Sequence, residues 1–220
     1  MWKPRATEEM TFTERGRRAQ ILRGAIDTIV ELGWAQSSLV RIGERIGASK
    51  GAILHYFRDK DALVGALVLE VHSRVAEAVA HAVAAEDTAA GRIRAYIRAN
   101  VDFIADNPRD IAAIVELGAA YRSPDRRRLA EIIASADRWP AELAALDLTA
   151  LLAREQRDAE LADVDTDAVA MIIRGAIDSA AERRARDADF DPRPYGRELA
   201  DMVEARLFPS RAERTSTTGN

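Results

Sequence analysis

The 220-residue chain has no cysteine, which removes disulfides, thiol redox sensing and zinc–thiolate sites. It also lacks any window near the roughly 18 uninterrupted apolar residues that a membrane span needs. Its first residues, MWKPRATEEM, carry no apolar run of a secretory signal, and a cytoplasmic location is the expectation. Period-2 strand runs and hairpin dipeptides are missing, so an all-α fold is predicted. Catalytic signatures are missing too: there is no G-x-S-x-G elbow, phosphate loop or dinucleotide fingerprint. His55, His72 and His81 have no metal-binding spacing, the last two lying about 180° apart on an ideal helix. Asp163, Asp165 and Asp167, like Asp187, Asp189 and Asp191, sit near helix termini and are expected to be caps or solvated helix ends. No enzyme, cofactor or metal site is therefore expected.

Lysine is scarce as well. Of the 32 basic residues only Lys3, Lys50 and Lys60 are lysine. Two of the three bracket ASKGAILHYFRDK, residues 48–60, the most informative stretch of the chain. Before it runs a short helical pattern, Leu39 to Ile46, closed by Gly47. Two short helices joined at a glycine, the second presenting small, basic and hydrogen-bonding side chains, read as a helix-turn-helix entering a DNA major groove. The net charge of −4 hides a division: residues 1–60 hold 11 basic against 7 acidic residues, and the remainder 21 against 29. A basic head on an acidic body is compatible with DNA binding, because phosphate attraction follows the local field.

Apolar spacing sets the expected elements. Thr13 is placed to cap a first helix whose buried stripe is Ile21, Leu22, Ala25, Ile26, Ile29 and Val30, stopped by Gly33. Ser37 or Ser38 caps the second, with Leu39, Ile42 and Ile46 inward. In the third, Ala52, Ile53 and Phe57 face the head, leaving Lys50, Gly51, Leu54 and His55 outward and Tyr56 at the edge. A long fourth helix runs from Lys60 toward Ala85. Further helices are expected over 89–106, 108–121, 125–157 (kinked or divided at Pro140), from Asp165 or Thr166 to Arg186, and from Pro194 to Phe208. Residues 1–12 and 209–220 are expected to be disordered.

An ordered set of features over about 13–66 resembles the TetR family of bacterial transcriptional regulators: Leu32-Gly33-Trp34, Ser37-Ser38-Leu39, Ile42, Gly47, Ser49-Lys50-Gly51, His55-Tyr56-Phe57 and Lys60-Asp61-Ala62-Leu63. Gly43 and Ile46 stand where the family tends to have alanines, and Ala48 where valine is common. Shrinking one side chain and enlarging the other is expected to conserve core volume. Leu54 stands where many members carry an aromatic residue.

The resemblance implies a DNA-binding domain over 13–60 and a helical effector-binding and dimerisation domain over 61–208, about nine or ten helices in all. It implies DNA contacts by Ser37 or Ser38, Ser49, Lys50, Gly51, Leu54, His55, Tyr56 and Lys60. Arg15, Arg17 and Arg18 are further phosphate candidates, or simply a solvated helix start. It implies a homodimer formed by the last two helices through Val169, Ile172, Ile173, Ala176, Ile177, Ala180, Leu199, Met202, Val203 and Leu207, binding a palindromic operator on double-stranded DNA. It also implies a small-molecule effector, with Asn100, Phe103, Tyr121, Trp139 and Met171 as candidate contacts. Asn100 lies on the apolar face of Ile93, Tyr96, Ile97, Val101 and Ile104, so it must find a partner in a ligand or another helix. The functional expectation is a ligand-released repressor. The alternative is a helical small-molecule-binding or protein-interaction module without specific DNA binding.

Overall fold

The structure, a computed structural model, describes residues 11–129, 131, 141–158 and 161–209. Its described residues are helical apart from turns, short 3-10 segments and one isolated bridge. Two compact units are present.

The first unit takes in the described residues of 1–72 and 109–138. Helix α1 (Phe12–Leu32) is opened by Thr11, whose hydroxyl accepts from the Glu14 N–H while the Glu14 carboxylate accepts from the Thr11 N–H. This reciprocal capping box moves the start two residues ahead of the predicted Thr13, because only Thr11 has a glutamate three positions on. Ile21, Leu22, Ala25, Ile26 and Ile29 are buried as expected. At Gly33, φ is +73° and the chain leaves the helix into a 3-10 turn, Trp34–Gln36.

Helix α2 (Leu39–Ile46) ends at Gly47, whose φ of +65° closes the helix in a left-handed cap. Helix α3 (Lys50–Tyr56) follows after Ala48-Ser49. Leu39, Ile42, Ile53 and Phe57 form the head core, while Ala52 and Ile46 are only half-buried. The predicted volume exchange between Gly43 and Ile46 does not occur. A Cβ on Gly43 would lie 2.4 Å from the Ala48 carbonyl oxygen, whereas a Cβ on Gly24 would lie 2.3 Å from the Ile46 Cγ2. Gly43 thus admits the turn backbone, and Gly24 of α1 makes the room that Ile46 takes.

Helix α4 (Lys60–Ala84) begins in the first unit and ends in the second. Helix α6 (Pro108–Ala120) belongs to the first unit from Arg109 onward and packs there on the head. The Arg109 guanidinium donates to Asp27 at 2.7 Å and to Glu31 at 3.1 Å, and Glu31 also pairs with Arg45. These two arginines hold the exposed Glu31 carboxyl below its ordinary range, Arg45 foremost. The predicted helix does not start at 125, because residues 122–128 form a turn: Arg122 and Arg128 make an antiparallel bridge, Arg126 has φ +64°, and the Ser123 hydroxyl accepts from the Arg127 N–H, with Leu129 and Glu131 the next helical positions described. The expected kink at Pro140 and the candidate Trp139 lie outside the described residues, as do residues 1–10 and 210–220.

The second unit takes in the described residues of 73–108 and 139–220. It holds α5 (Ala89–Asp106), a 3-10 turn (Ala141–Leu146), α7 (Leu148–Arg157), α8 (Thr166–Arg186) and α9 (Arg193–Leu207). Helix α5 is its centre, burying Ile93, Tyr96, Ile97, Val101 and Ile104. Helix α9 crosses it closely, since a Cβ on Gly196 would lie 2.8 Å from Val101 Cγ1. The fully buried Glu155 carboxylate of α7 accepts from Arg92 at 2.9 Å and 2.5 Å and from Arg154 at 2.7 Å. Asp165 caps α8 and Asp191 accepts from the Arg193 N–H, so these two of the six acids serve helix starts.

Candidate nucleic-acid interface

The candidate interface is built on α3. The Ser49 hydroxyl accepts from the Ala52 N–H at 3.1 Å and so starts the helix. Ile53, with no exposed surface, and the buried Phe57 fasten it to the head. The Arg18 guanidinium lies over the Phe57 ring at 4.8 Å. Burial lowers its pKa from the ordinary value, so Arg18 packs the back of α3. Fastened in this way, α3 exposes Ser49, Lys50, Gly51, Leu54 and His55, with Tyr56 half-buried. His55 and Tyr56 meet edge to face at 5.1 Å. Among the described residues Lys50 has no partner, which leaves its ammonium available.

Ser37 and Ser38 are resolved in favour of one. The Ser38 hydroxyl is exposed and accepts from the Arg41 N–H, so Ser38 caps α2. Ser37 is fully buried and its hydroxyl donates to the Gly33 carbonyl at 2.7 Å. As a phosphate contact Ser37 is therefore a correction: its one donor is spent inside the head.

Lys60 is held rather than free. Its ammonium lies 3.5 Å from the Trp34 ring centre and donates to the Trp34 carbonyl at 3.4 Å. Half-buried there, the ammonium has its pKa lowered chiefly by desolvation, with Asp61 opposing. Trp34 is held in turn by α6 and the residue that follows it: its backbone N–H donates to Glu116 at 2.8 Å and its ring meets Tyr121 edge to face at 5.5 Å. The Tyr121 hydroxyl donates to Asp61 at 2.9 Å. Burial first, and then that carboxylate, push the phenol pKa far above its usual value. Trp34 as the seat of Lys60 was not anticipated. The clue in the sequence was a single tryptophan directly after a helix-stopping glycine.

The sequence pattern described as "Bacterial regulatory proteins, tetR family" matches residues 21–67. The HTH-type transcriptional repressor Rv1474c of Mycobacterium tuberculosis is 33% identical over 174 residues, covering 79% of this chain and 84% of that one. The chain belongs to the tetR family. The HTH-type transcriptional regulator BetI of Stenotrophomonas maltophilia is 37% identical over 87 residues, which span 39% of this chain and only 44% of BetI. A solved structure of the fatty acid degradation regulator FadR from Bacillus halodurans superposes with a TM-score of 0.71. It is 19% identical and covers 84% of this chain and 97% of that one, a likeness of fold. As a member of the tetR family the chain is a DNA-binding transcriptional regulator and not an enzyme.

The effector candidates among the described residues divide between the two units, with Asn100, Phe103 and Met171 in the second. Asn100 is buried; its amide donates to the Tyr96 carbonyl at 2.8 Å and its oxygen accepts from Arg174 at 3.3 Å. Arg174 also donates to the Tyr96 hydroxyl at 3.2 Å, so the buried polar side chain is satisfied within the fold. Phe103 is buried with Arg74 over its ring at 5.3 Å. Tyr121 belongs to the first unit, and Met171 is 72% exposed.

The dimer stripe divides as well. Ile173, Ile177, Ala180, Leu199 and Leu207 are buried in this chain's own core and are corrected as partner contacts. Val169, Ala176 and Val203 are half-buried, while Ile172 and Met202 are 65% and 63% exposed. The exposed set gains Met171 and Tyr195, which the apolar stripe did not include.

Proposed function

We propose that this chain is a ligand-responsive repressor that binds a palindromic operator as a homodimer, in the cytoplasm, and leaves it when a small molecule binds the body. The observation that carries the DNA reading is α3, anchored by Ile53 and Phe57 and presenting Ser49, Lys50, Gly51, Leu54 and His55 outward. Phosphate contacts come from the exposed Ser38 at the start of α2, from Tyr56 and from Lys60. Dimerisation uses the exposed Met171, Ile172 and Met202 on α8 and α9, with Val169, Ala176 and Val203 at their side. A two-fold pair would set the recognition helices about 34–36 Å apart, one turn of DNA. Asn100 and Phe103 on α5 are the effector contacts we retain, and a ligand reaching Asn100 displaces Arg174 from it.

The test is gel retardation of the DNA upstream of the chain's own gene, and of a duplex enriched from a random pool, over a salt series. Specific retardation that weakens steeply with salt is expected. Failure to enrich any sequence would leave a helical module without specific DNA binding. Loss of retardation on adding a candidate metabolite would identify the effector.

A further inference from the structure

Two features of α3 have no explanation inside the chain. Gly51 has no positive φ, and an added Cβ would meet only the Ser49 hydroxyl oxygen at 3.7 Å, an ordinary contact. Alanine would therefore fit and would favour the helix, since glycine is the poorest helix former apart from proline. The fold gives no reason for glycine here. Leu54 is 37% exposed, although Ile53 beside it is fully buried. It stands three residues after Gly51, and on an ideal helix its direction falls between those of Lys50 and Gly51, about 40° from the first and 60° from the second.

The outward arc of α3 therefore runs Lys50, Leu54, Gly51, His55. A branched apolar side chain is flanked by a bare backbone position, with a cation on one side and an imidazole on the other. Lys50 and His55 can hydrogen-bond base edges or phosphates. Leu54 can do neither, because it has only methyl and methylene surface to offer. In the major groove one base feature is apolar, the 5-methyl group of thymine. Without a side chain at Gly51 the helix can approach the groove floor closely enough for Leu54 to touch it.

We propose that Leu54, seated beside Gly51, is a specificity-determining residue that contacts a thymine 5-methyl group in each half-site. The proposal rests on the DNA-binding reading and adds which base feature the recognition helix senses. A residue that ordinarily stands apolar on a free surface becomes covered when the groove is entered, and that burial is the source of the preference.

The experiment uses the full-length protein and a duplex it enriches from a random pool, with each thymine of a half-site replaced singly by deoxyuridine. Uracil pairs as thymine does and lacks only the methyl group. One position is expected to lose about fourfold in affinity per half-site, the worth of burying one such group. Leu54→Ala is expected to bind the thymine duplex more weakly and to lose the distinction between thymine and uracil at that position. Gly51→Ala is expected to raise the melting temperature while weakening binding, an opposition that a purely structural glycine would not show. Equal binding of all uracil duplexes, an enriched half-site without an A·T pair, or an undiminished methyl effect in Leu54→Ala would overturn the proposal and leave DNA binding standing. Enrichment of no sequence would overturn both.

Discussion

The Lys60 ammonium rests 3.5 Å from the centre of the Trp34 ring and donates to the carbonyl oxygen of the same residue. A cation over an indole face gains from the ring quadrupole, more so when partly desolvated. The arrangement ties the start of α4 to the turn that precedes α2. Glu116 of α6 and Tyr121 just beyond it brace that turn, so the position of α6 bears on a lysine at the edge of the proposed DNA-binding surface.

Removing the lysine and removing its seat have different outcomes. Lys60→Ala is expected to weaken binding to all sequences about equally and to lower the salt slope by about one unit. Trp34→Leu leaves the charge in place and loses its orientation, so affinity falls while the slope stays near its original value. Retardation titrations over a salt series check both. The lowered pKa of Lys60 also fixes a sign. Between its folded value and the unfolded value the unfolded chain holds more protons, so this group makes stability rise with pH in that alkaline window. Lys60→Met is expected to remove that rise, as followed by thermal melts over a pH series.

Gly24 and Ile46 form a size-matched pair. Alanine in place of glycine in an exposed helix interior usually gains about 1 kcal/mol. Here the new Cβ would lie 2.3 Å from Ile46, and Gly24→Ala is expected to cost about 1–3 kcal/mol instead. Gly24→Ala combined with Ile46→Ala relieves the overlap, so the double variant is expected to be more stable than the first single one. Denaturant midpoints of the three variants measure the coupling.

The helices were largely legible in the sequence and the contacts between them were not. The segment Ala89–Asp106 matches its prediction because a polar N-cap and Asn107-Pro108 bound a strong apolar period. The α3 residues that face outward were legible for the same reason: Ile53 and Phe57 can only be core. Adjacent serines, by contrast, are equivalent cap candidates until the turn before them is known, and burial of Ser37 against Gly33 is a tertiary fact. Likewise Gly43 and Ile46 sit on one helix, but the space Ile46 fills lies on another. An apolar stripe says which arc of a helix avoids water. It does not say whether the arc is covered by its own chain or by a second copy.

The Glu155 carboxylate, buried between two arginines, makes the second unit acid-sensitive. Hydrogen bonds from Arg92 first, and from Arg154, lower its pKa against the opposing effect of burial. An acid with a depressed folded pKa gives stability that is present above its unfolded value near 4.5 and is lost as pH falls through the folded value. Arg92→Ala leaves a buried carboxylate with one partner and is expected to cost about 3 kcal/mol at neutral pH. Glu155→Gln is expected to flatten the acid limb of the stability profile. Chemical denaturation between acidic and neutral pH checks the limb. An unchanged profile in Glu155→Gln would assign the acid loss to other carboxylates.

Ile172 and Ile173 are neighbours on α8 with opposite surroundings, 65% exposed and fully buried. The proposed dimer makes them separable. Ile172→Glu is expected to place charge in the interface, giving a folded monomer with native helicity and weak operator binding. Ile173→Ala is expected to lower the stability of the protomer itself by about 2–5 kcal/mol, because it opens a cavity in a core the chain makes alone. Light scattering at graded concentrations reads the first effect, and circular dichroism melts the second. The two measurements need to be taken on both variants, since an obligate dimer couples protomer stability to association. If Ile172→Glu still sediments as a dimer and binds the operator undiminished, the partner surface does not include this face of α8.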